Sequence, residues 1–183
     1  MKYLIASDIH GSAYYCERML EAYHREGAER LILLGDILYH GPRNDLPLDY
    51  APKRVIELLS ALRDEIFCVR GNCDTEVDQM VLPFPILADY ALLEVGGHTV
   101  FVTHGHKHNL ASRPPLKEGD ILLHGHTHVP GCESRDGITY LNPGSVSIPK
   151  DGSAHGYMLL EDGVFTAKTL EGDAVFCFAV TGE

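Results

Sequence analysis

Three short apolar runs constrain this chain more than any other feature: Tyr3-Leu4-Ile5-Ala6, Leu31-Ile32-Leu33-Leu34 and Ile66-Phe67-Cys68-Val69. Each is separated from the next by a segment of helical periodicity. In the first, Tyr15, Met19, Ala22 and Tyr23 recur on one face, Ser12 stands where an N-cap belongs, and Gly27 can close the helix in the left-handed conformation. In the second, after a loop rich in Pro, Asn and Asp at 40–52, the face is Val55, Leu58, Leu59 and Leu62. Strand, helix, strand, helix, strand predicts a parallel sheet with right-handed crossovers. The second half is richer in strands. Tyr90 to Val95, the turn Gly96-Gly97 and Thr99 to Val102 read as a hairpin, and more strands are expected at 120–123, 137–141, 156–161, 164–169 and 174–180, with Asp162-Gly163 as a tight turn. The last run, Ala174 to Val180, is either an internal strand or part of a subunit contact. The expected fold is α/β: one domain over 1–180, two sheets packed as a sandwich with helices outside, and a loose end at 181–183.

The residues just beyond the apolar runs are chemically uniform. Tyr3 to Ala6 leads to Asp8 and His10, Leu31 to Leu34 to Gly35 and Asp36, Ile66 to Val69 to Gly71 and Asn72, Val100 to Val102 to His104, and Ile121 to Leu123 to His124, Gly125, His126 and His128. Carboxyl ends of parallel strands gather on one edge, so residues this distant in the chain can converge. If the segments stay extended, Asp8 with His10, and His126 with His128, point the same way as paired prongs. Glycines 35, 71 and 125 would let the backbone turn tightly beside a bound ion. Two carboxylates, four imidazoles and an amide oxygen exceed the needs of one ion and suit two ions that share a ligand. Nitrogen and oxygen donors without thiolate favour manganese, iron or zinc. A pair of ions about 3.5–4 Å apart is the usual device for attacking phosphate esters.

Composition narrows the partners. The chain has 183 residues, 45% hydrophobic, and a net charge of -11, so its surface repels long nucleic acid and anionic membranes unless a local site reverses the sign. Five scattered cysteines without a C-x-x-C spacing argue against a disulfide framework or a cysteine zinc site, and no run reaches the ~18 apolar residues of a membrane helix. A soluble protein of the cytoplasm is expected.

D-x-H at 8–10, G-D at 35–36, G-N-x-D at 71–74, H-G-H at 104–106 and G-H-T-H at 125–128 occur in the order found in the calcineurin-like metallophosphoesterases. The chain resembles that family over nearly its whole length, and GDILYHGPRN, VRGNCD, NPGS and SIPK are similar to a subgroup of small bacterial phosphodiesterases. The resemblance implies the four-layer α/β/β/α form of the sandwich. It also implies one metal on Asp8, His10, Asp36 and His128, and a second on Asp36, Asn72, His104 and His126. Asp36 and a water or hydroxide bridge the two. The ions are divalent transition metals, Mn2+ foremost, with Zn2+, Fe or Ni2+ as alternatives. Reacting groups are then expected among His10, Asp36, Asn72, Cys73, Asp74 and His104, the bridging hydroxide attacking phosphorus in line.

Cys73 departs from the histidine that many relatives carry between Asn and the acidic residue of this motif, where it can protonate the leaving group. A thiol is a poorer acid near pH 7 and brings no positive charge, so small diesters are expected to be preferred over doubly charged monoesters. A phosphomonoesterase or nucleotide hydrolase would use the same ligands, and a eukaryotic retromer subunit of similar fold serves as a protein-binding scaffold. A homodimer or homotetramer is compatible with the apolar last strand. Histidines 24, 40, 98, 108 and 155 read as surface or hydrogen-bonded residues and His124 as a strand-end residue. His106 either orders the site or touches substrate. Asp74 orients its loop. Arg43 is either a phosphate contact or solvated, and Asn142-Pro143-Gly144-Ser145 reads either as a simple turn or, as the resemblance implies, as a loop bordering the metal site.

Overall fold

The apolar runs become the inner strands of two sheets. A computed structural model of the protein describes residues 1–180, so the expected loose end at 181–183 lies outside the described residues. In chain order the elements are β1 (Tyr3–Ala6), α1 (Ala13–Arg25), β2 (Arg30–Leu33), α2 (Pro52–Ser60), β3 (Ile66–Cys68), α3 (Glu76–Gln79), β4 (Tyr90–Val95), β5 (His98–Thr103), β6 (Ile121–Leu123), β7 (Pro130–Arg135), β8 (Ile138–Pro143), β9 (Gly156–Glu161), β10 (Val164–Thr169) and β11 (Ala174–Ala179). One sheet runs β11-β10-β9-β1-β2-β3 and the other β4-β5-β6-β8-β7.

β1, β2 and β3 are parallel, with Leu4 opposite Leu31 and Leu31 opposite Ile66. The second sheet holds a parallel trio of its own, β5, β6 and β8, with Val100 opposite Ile121 and Ile121 opposite Thr139. The carboxyl ends of both trios carry the donor residues to one rim.

Alternation along the strands sorts side chains between layers. Leu4, Leu31, Leu33 and Ile66 pack against Met19, Tyr23, Val55 and Leu59 of the helices. Ile5, Ile32 and Leu34 meet Val100, Val102, Ile121 and Leu123 between the sheets. Each such fully buried aliphatic side chain contributes about 1.5–3 kcal/mol by leaving water. α1 is capped as expected: the Ser12 hydroxyl accepts from Tyr15 N at 3.3 Å, and Gly27 comes after it at φ 63°.

On the outer face of the second sheet Phe101, Leu122 and Ile138 are covered by Leu116 and Tyr140. Residues 104–119 cross over that face without helix, so the fourth layer is irregular. Their run of polar, Gly and Pro residues has no apolar stripe to hold a helix there. One strand lies beyond the sequence-based expectation. β7 has the polar sequence PGCESR, lies at a sheet edge and begins with proline, which an edge position tolerates. It pairs with β8 through Asp136-Gly137, both at positive φ, the same two-residue turn as Asp162-Gly163. β11 is also an edge strand. Phe176 and Phe178 face the inter-sheet core and Val175 faces outward. No described helix is long and apolar enough to cross a membrane.

Candidate metal centre

Seven donor residues meet on the rim where β1, β2, β3, β5 and β6 end. His128 Nε2 lies 3.3 Å from both Asp8 Oδ1 and His10 Nε2, and His10 Nε2 lies 3.6 Å from Asp8 Oδ1 and from Asp36 Oδ2. On the other side of Asp36, His104 Nε2 stands 3.4 Å from the same Oδ2, 3.1 Å from Asn72 Oδ1 and 3.2 Å from His126 Nδ1. Donors about 2.0–2.2 Å from one tetrahedral ion are separated by roughly 3.3–3.6 Å, and the neighbouring donors around His10 and around His104 lie 3.1–3.6 Å apart, close to that spacing. Asp36 Oδ2 belongs to both.

Burial tests whether a cation belongs here. Asp8 is fully buried, and its Oδ1 has no hydrogen-bond partner. An orphaned carboxylate oxygen aimed at two imidazole nitrogens is costly without a positive charge beside it. The imidazoles are oriented for the same purpose. His10 Nδ1 donates to Tyr39 O at 2.8 Å, His104 Nδ1 to Leu34 O at 2.7 Å and His128 Nδ1 to Ile148 O at 2.6 Å. Each bond turns Nε2 inward. The donor set therefore fits bound metal.

Protonation shows the same demand for positive charge. Burial opposes ionisation of Asp8, but the imidazoles of His10 and His128 beside it outweigh that and hold the carboxyl well below its usual range. Asp36 is likewise lowered, against burial, by His104. Burial pulls His104 down, yet the carboxylates Asp36 and Asp8 push its pKa up to about 9, and His10 is raised for similar reasons. His126 moves the other way, lowered by burial and by the charge of His104.

The expected prongs on extended segments are corrected: Asp8 and His10 meet in one donor set, whereas His126 and His128 divide between two. Asp8, His10, Asp36, His126 and His128 all lie at positive φ, between 50° and 67°. They sit in left-handed turns beyond the strands, so convergence comes from turning rather than from the alternation of an extended segment. Asp and His tolerate this region better than β-branched residues, at about 1 kcal/mol each. Two glycines act through close approach. A Cβ on Gly71 would collide with the Asp36 carboxylate, and one on Gly125 with the Ser7 hydroxyl.

Cys73 lies beside the centre, buried. Its N–H donates to Asp36 Oδ1 at 2.8 Å, which leaves Oδ2 to the ions, and Asn72 Nδ2 donates to its Sγ at 3.2 Å. Burial, then the charge of Asp36, raises the thiol pKa far above its ordinary value, so it stays protonated. Asp74 lies beneath the site. Its carboxylate accepts from Asp36 N at 2.8 Å, Ile37 N at 3.0 Å and Gly71 N at 2.7 Å, tying the β2 and β3 loops together. His124 is buried against Tyr140, and His106 stands beside His104 with ring centroids 5.4 Å apart.

Residues of NPGS and SIPK, notable in the sequence only by resemblance, acquire a physical role here. The hydroxyls of Ser145 and Ser147 both donate to Asp8 O, at 3.0 and 2.9 Å, and Asn142 Nδ2 donates to Gly125 O at 3.0 Å. The NPGS segment is thus a brace for β1 and β6 ends as well as a turn. A 320 Å³ pocket opens over the centre, lined by His10, Asp36, Asn72, Cys73, His126 and His128, and also by Arg43 and Lys150.

The family model of the calcineurin-like phosphoesterase superfamily domain matches residues 1–162. The chain belongs to this superfamily. The phosphoesterase is 46% identical over 175 residues to phosphodiesterase YfcE of Escherichia coli K12, covering 96% of this chain and 95% of the relative. Its fold matches the solved structure of the E. coli phosphoesterase YfcE with a TM-score of 0.95 at 44% identity, covering 99% and 100% of the two chains. A phosphodiesterase of Methanocaldococcus jannaschii is 27% identical over 152 residues, 79% of this chain and 83% of that one. Vps29 of Entamoeba histolytica, solved with Zn2+, shares the fold at 21% identity and a TM-score of 0.60, covering 97% of each chain. The phosphoesterase is therefore a hydrolase of the metallophosphoesterase class, with a cluster of Asp and His residues placed to bind metal.

Proposed function

We propose that the protein is a phosphodiesterase dependent on two divalent transition-metal ions, Mn2+ foremost, and that it acts on small diesters in the cytoplasm. One observation carries the reading: Asp36 Oδ2 stands between two donor sets, 3.6 Å from His10 Nε2, which neighbours Asp8 and His128, and 3.4 Å from His104 Nε2, which neighbours Asn72 and His126. Two cations bound there supply Lewis acidity toward a phosphoryl oxygen and activate water near neutral pH. The chain does the rest. Backbone carbonyls of Tyr39, Leu34 and Ile148 fix the imidazoles, Cys73 N–H fixes Asp36, and Asp74 and the two serines fix the turns that carry the ligands.

The choice of diester rests on Cys73. The thiol lines the pocket, remains neutral, and offers neither a proton near pH 7 nor a charge for a second phosphate anion. The similarity to phosphodiesterase YfcE supports the same choice. Five free cysteines suit a reducing compartment, and the net charge of -11 disfavours long nucleic acid as substrate.

The test is to strip metals, restore Mn2+, Zn2+, Ni2+ or Fe2+ singly, and follow bis(p-nitrophenyl) phosphate beside p-nitrophenyl phosphate. Elemental analysis of the untreated protein accompanies it. Strong diester and weak monoester turnover, greatest with Mn2+, is the expected outcome. Equal turnover of the two esters would remove the diester assignment, and failure to take up any ion would remove the metal reading.

A further inference from the structure

Arg43 and Lys150 reach the pocket from different loops, one after β2 and one after β8, and both line it together with the metal donors. Their backbones are anchored. Lys150 N donates to the carbonyl of the ligand His128 at 3.1 Å, and the Ser153 hydroxyl donates to Lys150 O at 2.6 Å. Asn44, next to Arg43, donates through Nδ2 to His40 O at 2.8 Å and closes the turn. Neither charged head group has a hydrogen-bond or ion-pair partner among the described residues. Lys2, Arg18, Arg54, Lys107 and Lys168 are paired with carboxylates, while Lys53, Arg113, Lys117 and Arg135 have no carboxylate partner among the described residues; what sets Arg43 and Lys150 apart is that they line the pocket of the metal donors.

Charge decides what two such cations are for. Two divalent ions set against Asp8, Asp36 and a bridging hydroxide would leave one positive charge, which the single negative charge of a diester balances. Arg43 and Lys150 add two more, at the mouth rather than among the ligands. That surplus matches a second, doubly charged group on the same molecule, and guanidinium and ammonium are the side chains that bind phosphate through charge-assisted hydrogen bonds.

We propose that Arg43 and Lys150 bind a second phosphate of the substrate, so that the preferred substrates are phosphodiesters that also carry a terminal phosphate group, such as esters of nucleoside bisphosphates. The inference rests on the phosphodiesterase reading above and names its substrate class. General steering of anions by a positive rim would favour all anionic diesters together. A bound second phosphate favours one over its counterpart lacking that group.

The p-nitrophenyl ester of thymidine 5′-phosphate, with and without a 3′-phosphate, makes this comparison. The Mn2+-loaded protein should turn over the 3′-phosphorylated ester with kcat/KM roughly tenfold higher, the gain residing in KM, as expected for partly exposed charge-assisted contacts. In the doubly substituted variant Arg43→Gln, Lys150→Gln the ratio should fall to about one. A wild-type ratio at or below one, or a ratio untouched by the double substitution, overturns the proposal. Calorimetry with thymidine 3′,5′-bisphosphate and thymidine 5′-monophosphate decides the matter without turnover: the bisphosphate should bind roughly tenfold more tightly to wild type and equally to the variant. If neither ester is hydrolysed the phosphodiesterase reading fails, while equal affinity of the two nucleotides for wild type still refutes the cation pair by itself.

Discussion

Metal uptake should release protons, because His104 cannot offer a lone pair while protonated. In the metal-free fold its pKa is about 9: burial opposes the charge, but Asp36 Oδ2 at 3.4 Å and the nearby Asp8 more than compensate. At pH 7.5 the ring is almost wholly imidazolium, so an ion entering the Asp36/Asn72/His104/His126 cradle must displace about one proton. His10, raised in the same direction, adds to this. For the His104 proton alone, apparent affinity should climb about tenfold per pH unit from pH 7 to about 9, equivalent to about 1.4 kcal/mol per unit, and flatten above. Calorimetric titration of metal-free protein with Mn2+ in two buffers of different ionisation enthalpy reads the proton count directly. Roughly one proton or more at pH 7.5, falling at pH 9.5, and reduced in His104→Gln, is the expected result. Stoichiometric binding at pH 7.5 without proton release would refute the argument, since it would mean that His104 is neutral despite its carboxylates.

Replacing Cys73→His should raise monoesterase kcat/KM at least tenfold, since imidazolium supplies both a proton and a charge beside the centre; retained diester activity without that gain would count against the role given to the thiol. Gly71→Ala should destabilise the fold by about 1–3 kcal/mol and lower the bound-metal count, because its methyl would collide with the Asp36 carboxylate; denaturant unfolding and elemental analysis check both. Burial lowers the pKa of His124 to about 4 against an ordinary 6.5. The unfolded chain therefore takes up this proton first, and stability should drop by about 3 kcal/mol as pH falls from 6.5 to 4. His124→Phe should flatten that acid limb, and parallel pH profiles would contradict the assignment. Ser147→Ala removes one of two hydroxyls on the Asp8 carbonyl and should weaken metal binding about tenfold or more with the fold intact; unchanged affinity in a metal titration would show the bond to be dispensable.

The first sheet was legible because β1, β2 and β3 are continuous apolar runs separated by amphipathic helices, a pattern few other arrangements satisfy. The candidate ligands were legible for a related reason: Asp8, Asp36, Asn72, His104 and His126 stand after apolar runs at places where no core packing calls for them. The parallel relation of β5, β6 and β8 was not visible, because the 104–119 crossover has no periodicity and the β7–β8 hairpin interrupts the route. β7 itself has a polar sequence, though Asp136-Gly137 carries the same turn signal as Asp162-Gly163 and could have revealed it. NPGS and SIPK stood out only by resemblance: Lys150 has no physical signal of its own until folding brings its loop to the pocket, and Ser145 and Ser147 acquire their purpose from a carbonyl about 140 positions away.

The left-handed turns explain why so many residues around the centre are not ligands. Extended strand ends would have needed no support, but they would have sent Asp8 and His10, or His126 and His128, along parallel lines toward one point. Turned at positive φ, His126 and His128 diverge enough to stand in different donor sets, while Asp8 and His10 still meet in one. Each turn costs about 1 kcal/mol and would relax if left alone. The surrounding bonds oppose that relaxation: Asp8 N to Gly35 O at 3.1 Å, His10 N to Asp36 O at 2.9 Å, His126 N to Asp8 Oδ2 at 3.1 Å, and the serine hydroxyls on Asp8 O. The first three of these bonds each join two different ligand-bearing segments, and the serines add a brace from outside them. The strain of one turn is therefore held by the others, and the donors keep their spacing as a unit before any ion binds.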